Sequence, residues 1–396
     1  MGAGYDARME LLAVSEDRGF SRLREEWNAL LAVSAQDGPF LRHEWLEGWW
    51  GSFRGSDDRL RVLTCRDESG ALVGVLPAYE TRIGRFLGAH VVRLLGDEHV
   101  GSVGLGAFAH PDAEGQVAER LLGHLRGDRG WDVLDFRALD ARGTFFERIG
   151  LQPDSGAVRT LLDAEACPQV TLPTSWESYV TDVLGSHSRR AVRQSRRDAD
   201  ELGARLEVVD DPARIPQALE DLLRLFECRM QRVLDPRFEV SPGLRAFVAR
   251  MLPALLAQGS LRLAFLTIDG RRVAVEYGFR YRDTLYGLMS GFEARWARHA
   301  VYKALFGYVV ERAIGEGCLG LDLGLGDQGH KREWGVSEVR RFSDVSVYSG
   351  SVAGRVRRAE DRAVLRAERV VLASPAWLMR PLVRAGKAAR RFARRR

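Results

Sequence analysis

The sequence predicts an α/β chain of two similar domains that face each other across a cleft. Three observations carry this. A strand pair is written twice, Leu60 to Asp67 running into Gly70 to Val75, and Leu261 to Asp269 running into Gly270 to Val275. Each copy reads as two apolar strands joined by an acidic-glycine turn. Each is also followed by an amphipathic helix, a glycine and a buried strand carrying an acid. These are Val117 to Gly130 then Val133-Leu134-Asp135-Phe136, and Val301 to Gly317 then Leu319 to Leu323 with Asp322. Finally, 396 residues with 45% hydrophobic content suit two full cores. The predicted division is 1–172, 173–350 and a helical basic tail at 351–396. A cleft between two such domains is a default place for chemistry.

The elements follow in order. Leu11 to Val14 suggests a first strand and Asp17 to Val33 a helix. Pro39-Phe40 leads into a helix from Arg42 to Phe53, where Trp45 and Trp49 share one face and read as core packing. Strands run to about Glu80. The glycine-rich Gly101 to Gly106 lacks the strand lead-in and GK[ST] ending of a phosphate loop. Cys167 to Pro173 reads as the crossover between halves. Helices follow at Trp176–Leu184, Ser188–Gly203, Ile215–Val233 and Pro242–Gln258. A strand block at 260–290, a helix at 300–316, a strand at 319–324 and a charged helix at 355–372 complete the chain.

Composition narrows the function classes. The opening MGAGYDARMELLAVSEDRGF does not resemble a signal peptide, and no stretch approaches the ~20 apolar residues of a membrane span. Cys65, Cys167, Cys228 and Cys318 have no CxxC spacing, so they read as reduced thiols of a cytoplasmic protein. Scattered histidines argue against a protein-held metal. Net charge is +5, unevenly spread: eight Lys or Arg and no acid lie between Arg380 and Arg396. That tail is either a solvated end or a basic amphipathic helix for an acidic partner: anionic lipid at a membrane surface, RNA, or an acidic carrier protein. A second basic cluster, Arg189 to Arg197, covers most of a helix circumference. Arg190 and Arg193 are its candidate anion contacts.

Certain stretches resemble a family. Pro39-Phe40…Glu44-Trp45-Leu46…Trp49-Trp50, then Val75-Leu76-Pro77, resemble the opening of the CelD/BcsL-like (BioF2-like) branch of the GNAT acyltransferase superfamily. So do Trp176-Glu177-Ser178-Tyr179, Ser188 to Arg197 and Leu285-Tyr286…Ser290-Gly291-Phe292. The most specific block is Asp322-Leu323-Gly324…Gly326-Asp327…Lys331-Arg332-Glu333-Trp334-Gly335. That branch is similar to the FemAB-type peptidyl transferases. The resemblance covers about residues 10 to 350 and implies a tandem GNAT fold and N-acyl transfer, without naming the substrate. It implies a coenzyme A thioester bound on a [Gln/Arg]-x-x-Gly-x-[Gly/Ala] loop at a helix N-terminus, where amides and the helix dipole meet phosphate. Here that loop reads Arg295-Trp296-Ala297-Arg298-His299-Ala300. An arginine replaces the middle glycine. Either Arg298 supplies charge, or the donor is another: a phosphopantetheine thioester on an acyl carrier protein, or aminoacyl-tRNA.

Acyl transfer to an amine needs a base, an oxyanion stabiliser and an acid for the leaving group. Glu276 interrupts the apolar run Val273 to Phe279 and, by alternation, shares a face with Ala274 and Gly278. It is either a candidate base in a cleft or a carboxylate paired in the core. Asp322 ends a buried strand, where α/β folds bind ligands, or caps the next turn. His330 and Lys331 follow as candidate substrate contacts. Tyr286 and Tyr302 are candidate acids, or core aromatics. Two other classes stay open: a non-catalytic GNAT-fold binding protein, and a nucleic-acid-handling protein, the latter without aromatic–basic stacking motifs.

Overall fold

The computed structural model describes residues 9–84, 88–150 and 158–373. The basic tail expected at 378–396 lies outside them. The first half contains β1 (Glu10–Val14), α1 (Asp17–Arg22), α2 (Arg24–Val33), α3 (His43–Phe53), β2 (Arg59–Leu60), β3 (Val62–Arg66), β4 (Leu72–Leu76), β5 (Ala78–Ile83), β6 (Ala89–Leu94), β7 (Phe108–Ala109), α4 (Glu114–Gly127), β8 (Val133–Asp140), α5 (Thr144–Gly150) and β9 (Val158–Thr171). The second contains α6 (Trp176–Ser178), α7 (Ser186–Glu201), β10 (Arg205–Val208), α8 (Ile215–Val233), α9 (Pro242–Ala257), β11 (Leu261–Ile268), β12 (Arg271–Tyr281), β13 (Thr284–Phe292), α10 (Val301–Gly315), β14 (Gly320–Asp322), α11 (Gly329–Arg332), β15 (Glu338–Tyr348) and α12 (Val352–Ala373).

Local chemistry explains many boundaries. Asp269 (φ 49) and Gly270 (φ 72) form the tight turn joining β11 to β12, and two positive φ values are what such a turn requires. The Ser241 hydroxyl accepts the Leu244 N–H at 3.2 Å, and Pro242 occupies the first position of α9. α8 buries Ile215, Ala218, Leu222, Leu223 and Leu225 along one stripe. Two expected helices are broken. Leu23 separates α1 from α2, and after α6 the chain widens into a π-helical turn, Tyr179–Val183.

The two halves repeat one pairing order. In the second half it is β10-β11-β12-β13-β14, with β13 and β14 parallel. In the first half β1 pairs β3, β3 pairs β4, β5 pairs β6, and β6 pairs β8 in parallel. The first copy bends between β4 and β5 at Pro77. Its start therefore separates as a four-stranded sheet, while the rest joins an eleven-stranded sheet. Asp135 and Asp322 occupy matching places, opposite Arg93 and Tyr286 respectively.

The halves also exchange a strand. Cys167 to Pro173 is not a plain crossover: Cys167 to Thr171 end β9, which pairs with β14 of the second half. Strand β15, from the second half, pairs with β8 of the first. The exchanged strands run antiparallel to each other along the seam. Sequence patterning carries no signal for this, because either strand would find an equivalent edge in its own half.

The core follows these layers. Trp45 and Trp49 are 2% exposed, as a packing role predicts. Trp45 meets Phe247 of α9 edge-on at 4.9 Å, which joins the halves through α3 and α9. On the other face of the second-half sheet, α10 packs Val301, Leu305 and Val310 with Ala274, Leu266 and Trp334.

Candidate functional site

Strands β13 and β14 run side by side only from Thr284↔Gly320 to Tyr286↔Asp322. Beyond that, β13 stays with β12 as far as Phe292. The chain after Asp322 stays with β9, through Leu323 N–H to Pro168 O (3.0 Å) and Gly326 N–H to Ala166 O (2.7 Å). The result is a wedge between parting strands. Glycines permit its narrow throat. A Cβ on Gly324 would sit 2.7 Å from the Gly287 carbonyl oxygen, and one on Gly287 would sit 3.2 Å from Glu276 Oε1. The register of β12 shifts between Tyr277 and Gly278. Gly278 therefore does not leave ligand space beside Glu276. It allows close backbone approach, since a Cβ there would lie 2.2 Å from Tyr286 O.

Glu276 is buried on the α10 side of β12, opposite Ser290 on β13. The Tyr302 hydroxyl donates to Glu276 Oε2 at 3.0 Å. Burial raises the carboxyl to about 8, against the opposing pull of that hydrogen bond and of the Arg229 and Lys331 charges. Tyr302 is itself pushed well up by burial and by Glu276. Asp322 is also buried and raised by burial, but both its oxygens are engaged. Oδ1 accepts from Gly324 N–H at 2.7 Å and Oδ2 from Gln169 Nε2 at 3.1 Å. The turn-capping role is thus present.

Lys331 donates from Nζ to the Gly324 and Leu325 carbonyl oxygens, each at 2.8 Å, and burial lowers it to about 8. His330 is lowered by burial and by the Arg229 and Lys331 charges. Arg229, on α8, donates to the Ser290 hydroxyl and, at 3.3 Å, to its carbonyl oxygen. Tyr286 stacks on Phe279 at 5.5 Å and meets Phe40 at 6.0 Å. Burial and the neighbouring Asp322 raise its hydroxyl.

The expected donor loop is a 3₁₀ turn, Ala294–His299, followed by Ala300 with φ 49 at the start of α10. Arg295 donates from Nε to Glu293 Oε2 at 2.8 Å and lies over Trp296. Arg298 donates from Nε to His299 Nε2 at 2.9 Å and is exposed. The left-handed residue of this loop is Ala300, not Arg298, so a side chain at 298 costs no backbone strain. A phosphate-bearing donor fits here. The first amides of α10 have no acceptors within the helix, and Arg298 supplies a cation at the same end.

Arg190 and Arg193 are not brought to this cluster. Both lie on the exposed flank of α7. Arg193 is 3.8 Å from Glu177 and helps to line a separate shallow pocket of ≈ 280 Å³ with Trp176, Arg196 and Arg197. In the first half the matching throat is filled by charge. Asp135 bonds Arg137 at 2.7 Å, Arg93 at 3.3 Å and Ser346 at 3.2 Å, and Arg137 reaches Asp344 at 3.1 Å. Strand β4, Leu72–Leu76, carries no carboxylate.

Arg229, Ser290 and Gln169 escaped the sequence reading as site residues. Ser290 lay inside a family stretch. Arg229 looked like any arginine of an amphipathic helix, and Gln169 arrives only through strand exchange.

Comparison with known proteins agrees with this geometry. Residues 186–332 match the family model described as acetyltransferase (GNAT) domain. No curated protein matches the chain. Among solved structures, FemX covers 88% of this chain and is itself covered 100%, at 9% identity and TM-score 0.60. A conserved protein of unknown function from Bacteroides thetaiotaomicron VPI-5482 covers 85% and is covered 100%, at 13% identity and TM-score 0.56. Residues 186–332 are thus a GNAT acetyltransferase domain, set in a chain whose overall fold is like that of FemX.

Proposed function

We propose that this protein transfers an acyl group from a phosphopantetheine thioester, on coenzyme A or a carrier protein, to a primary amine, with the chemistry in the second half. The observation that supports this is Glu276, a buried carboxyl held near pH 8 beside the strand wedge of the matched domain. Once ionised, above about pH 8, Glu276 is a base strong enough to take a proton from an attacking amine. The amine nitrogen attacks the thioester carbonyl carbon and Glu276 receives its proton, directly or through water. The C–S bond then breaks, and the thiolate leaves. Tyr286, kept protonated by burial, is the proposed hydrogen-bond donor to that sulfur. Asp322 is assigned the ordering of the throat, because each of its oxygens already accepts a hydrogen bond, from Gly324 and from Gln169. Arg295, Arg298, His299 and Ala300 form the donor's phosphate end, and His330 with Lys331 the substrate contacts.

A second reading, aminoacyl-tRNA as donor, draws support from the FemX-like fold. Arg190 and Arg193 would suit its phosphates or an acidic carrier, because they lie apart from Glu276. No helix among the described residues is long and apolar enough to cross a membrane. Peripheral attachment through the basic tail stays part of the proposal.

The test is a donor panel: acetyl-coenzyme A, a long-chain acyl-coenzyme A, an acyl carrier protein thioester and aminoacyl-tRNA, each with mixed amines. Thioester donors should release thiol, and E276Q should slow this by about 10²–10⁴ with the fold intact by circular dichroism. Turnover with aminoacyl-tRNA alone would transfer the reading to the second donor. Normal turnover by E276Q would remove Glu276 from the chemistry.

A further inference from the structure

We infer that the acceptor amine carries a carboxylate a few bonds from its nitrogen, and that Arg229, with Lys331 and His330, binds it. This rests on the acyl-transfer reading and adds the substrate class. Charged groups in this protein are usually neutralised in place. Arg137 lies between Asp135 and Asp344, Arg272 between Glu207 and Asp221, and Arg196 meets Glu311. Around Glu276 the pattern fails. Arg229, His330 and Lys331 act on one another, yet among the described residues none has a carboxylate oxygen within 4.0 Å.

Their hydrogen bonds do not repair this. Arg229 spends Nη1 on the neutral Ser290, and Lys331 spends two of its three donors on backbone carbonyls. The neighbouring acids offer little compensation. Asp322 is committed to Gly324 and Gln169, and Glu276 is neutral below about pH 8. Arg229 and Lys331 are half-buried cations without counter-ions, which is costly, and a bound anion relieves that cost.

Placement decides which substrate brings the anion. Arg229 comes from α8, whose Leu225 carbonyl lies against Gly291 of β13, and α8 packs with Val275 and Tyr277. The donor loop leads into α10, which packs on the opposite face with Ala274. α8 also meets the donor loop, where its Arg224 shares Glu293 with Arg295, and Arg229 follows five residues on. It grips Ser290, the cross-strand partner of Glu276, and such partners lie about 5 Å apart. Lys331 donates to the Gly324 carbonyl oxygen, and Gly324 lies against Gly287, which borders Glu276. An amine beside Glu276 thus has its anionic group a few bonds away, the spacing of an α- or β-amino acid unit. The guanidinium fork suits a carboxylate.

The experiment compares an amino acid, its carboxamide, its decarboxylated amine and phosphoethanolamine as acceptors in the intact protein. The acid should exceed the amide in kcat/KM by about 10- to 100-fold, the scale of a charge-assisted hydrogen bond. R229Q should bring that ratio close to one. Equal use of acid and amide by the unmodified protein would overturn the inference. So would an R229Q variant that raises the KM for the thioester donor and keeps the ratio, because the anion would then belong to the donor. A phosphoethanolamine preference would overturn the carboxylate assignment. Calorimetric binding of the amino acid and its amide, without donor, separates this from failure of acyl transfer itself. Acid-selective binding lost in R229Q supports the subsite even if no turnover occurs, and binding without selectivity refutes it.

Discussion

Replacing Glu276 by Gln should stabilise the fold, and the gain should depend on pH. The carboxyl moves from its ordinary 4.5 to about 8 because burial disfavours its charge. Folded Glu276 therefore keeps a proton that the unfolded side chain has released, so the folded state binds more protons. Stability falls as pH rises from about 4.5 to about 8, and then levels off. Each pH unit in that window costs ~1.4 kcal/mol, or about 5 kcal/mol across the whole of it. Glutamine does not titrate and retains an oxygen to accept from Tyr302. The variant should match the original near pH 4.5 and exceed it increasingly up to pH 8–9. With an unfolding entropy of about 0.8 kcal/mol/K for a chain of 396 residues, the full window corresponds to ~6 °C in Tm. Thermal melts at pH 5, 7 and 9 measure this. Parallel pH curves for the two proteins would show that Glu276 is ionised in the fold, and the argument for a poised base would collapse.

Other perturbations have equally definite outcomes. Tyr302→Phe removes the hydroxyl that lowers Glu276, so the rising limb of a kcat/KM–pH profile should move to higher pH; an unmoved limb separates Tyr302 from the base. Arg295→Ala with Arg298→Ala should weaken donor binding by about 1–3 kcal/mol in calorimetry, and unchanged affinity would place the donor elsewhere. Asp135→Asn leaves Arg93 and Arg137 buried without their shared carboxylate and should cost about 3–5 kcal/mol in urea unfolding, whereas a loss below 1 kcal/mol would deny that the cluster is coupled. Gly278→Ala should impair both stability and turnover, because its Cβ would meet the Tyr286 carbonyl at 2.2 Å; normal behaviour would mean the bulge relaxes freely.

Where residue type and local period decide the structure, the sequence was informative. The Asp-Gly turn at 269–270, the helix Ile215–Val233 and the repeated strand pair all appear as written. Glu276 was legible because a carboxylate in an apolar strand must be explained. Its partners were less legible. Tyr302 reaches it only because α10 lies across β12, and Arg229 only because β13 loses its neighbour beyond Tyr286. Arg190 and Arg193 drew attention by charge density, but charge density does not say which way a helix faces. The exchange of β9 and β15 left no trace at all, since both strands would satisfy the same edge pattern in either half.

That exchange constrains how the protein is made. The first half needs β15 to flank β8, yet β15 spans Glu338–Tyr348, far behind β9 in the order of synthesis. At about 5–20 residues per second, a ribosome takes roughly 10–35 s to travel from Thr171 to Tyr348. Throughout that interval β8 presents an open edge, and β9 projects without the partner it will join. An N-terminal half released early would be a template for mispairing rather than a finished module. The two halves therefore share one sheet that is complete only when β15, its last strand to be made, is in place.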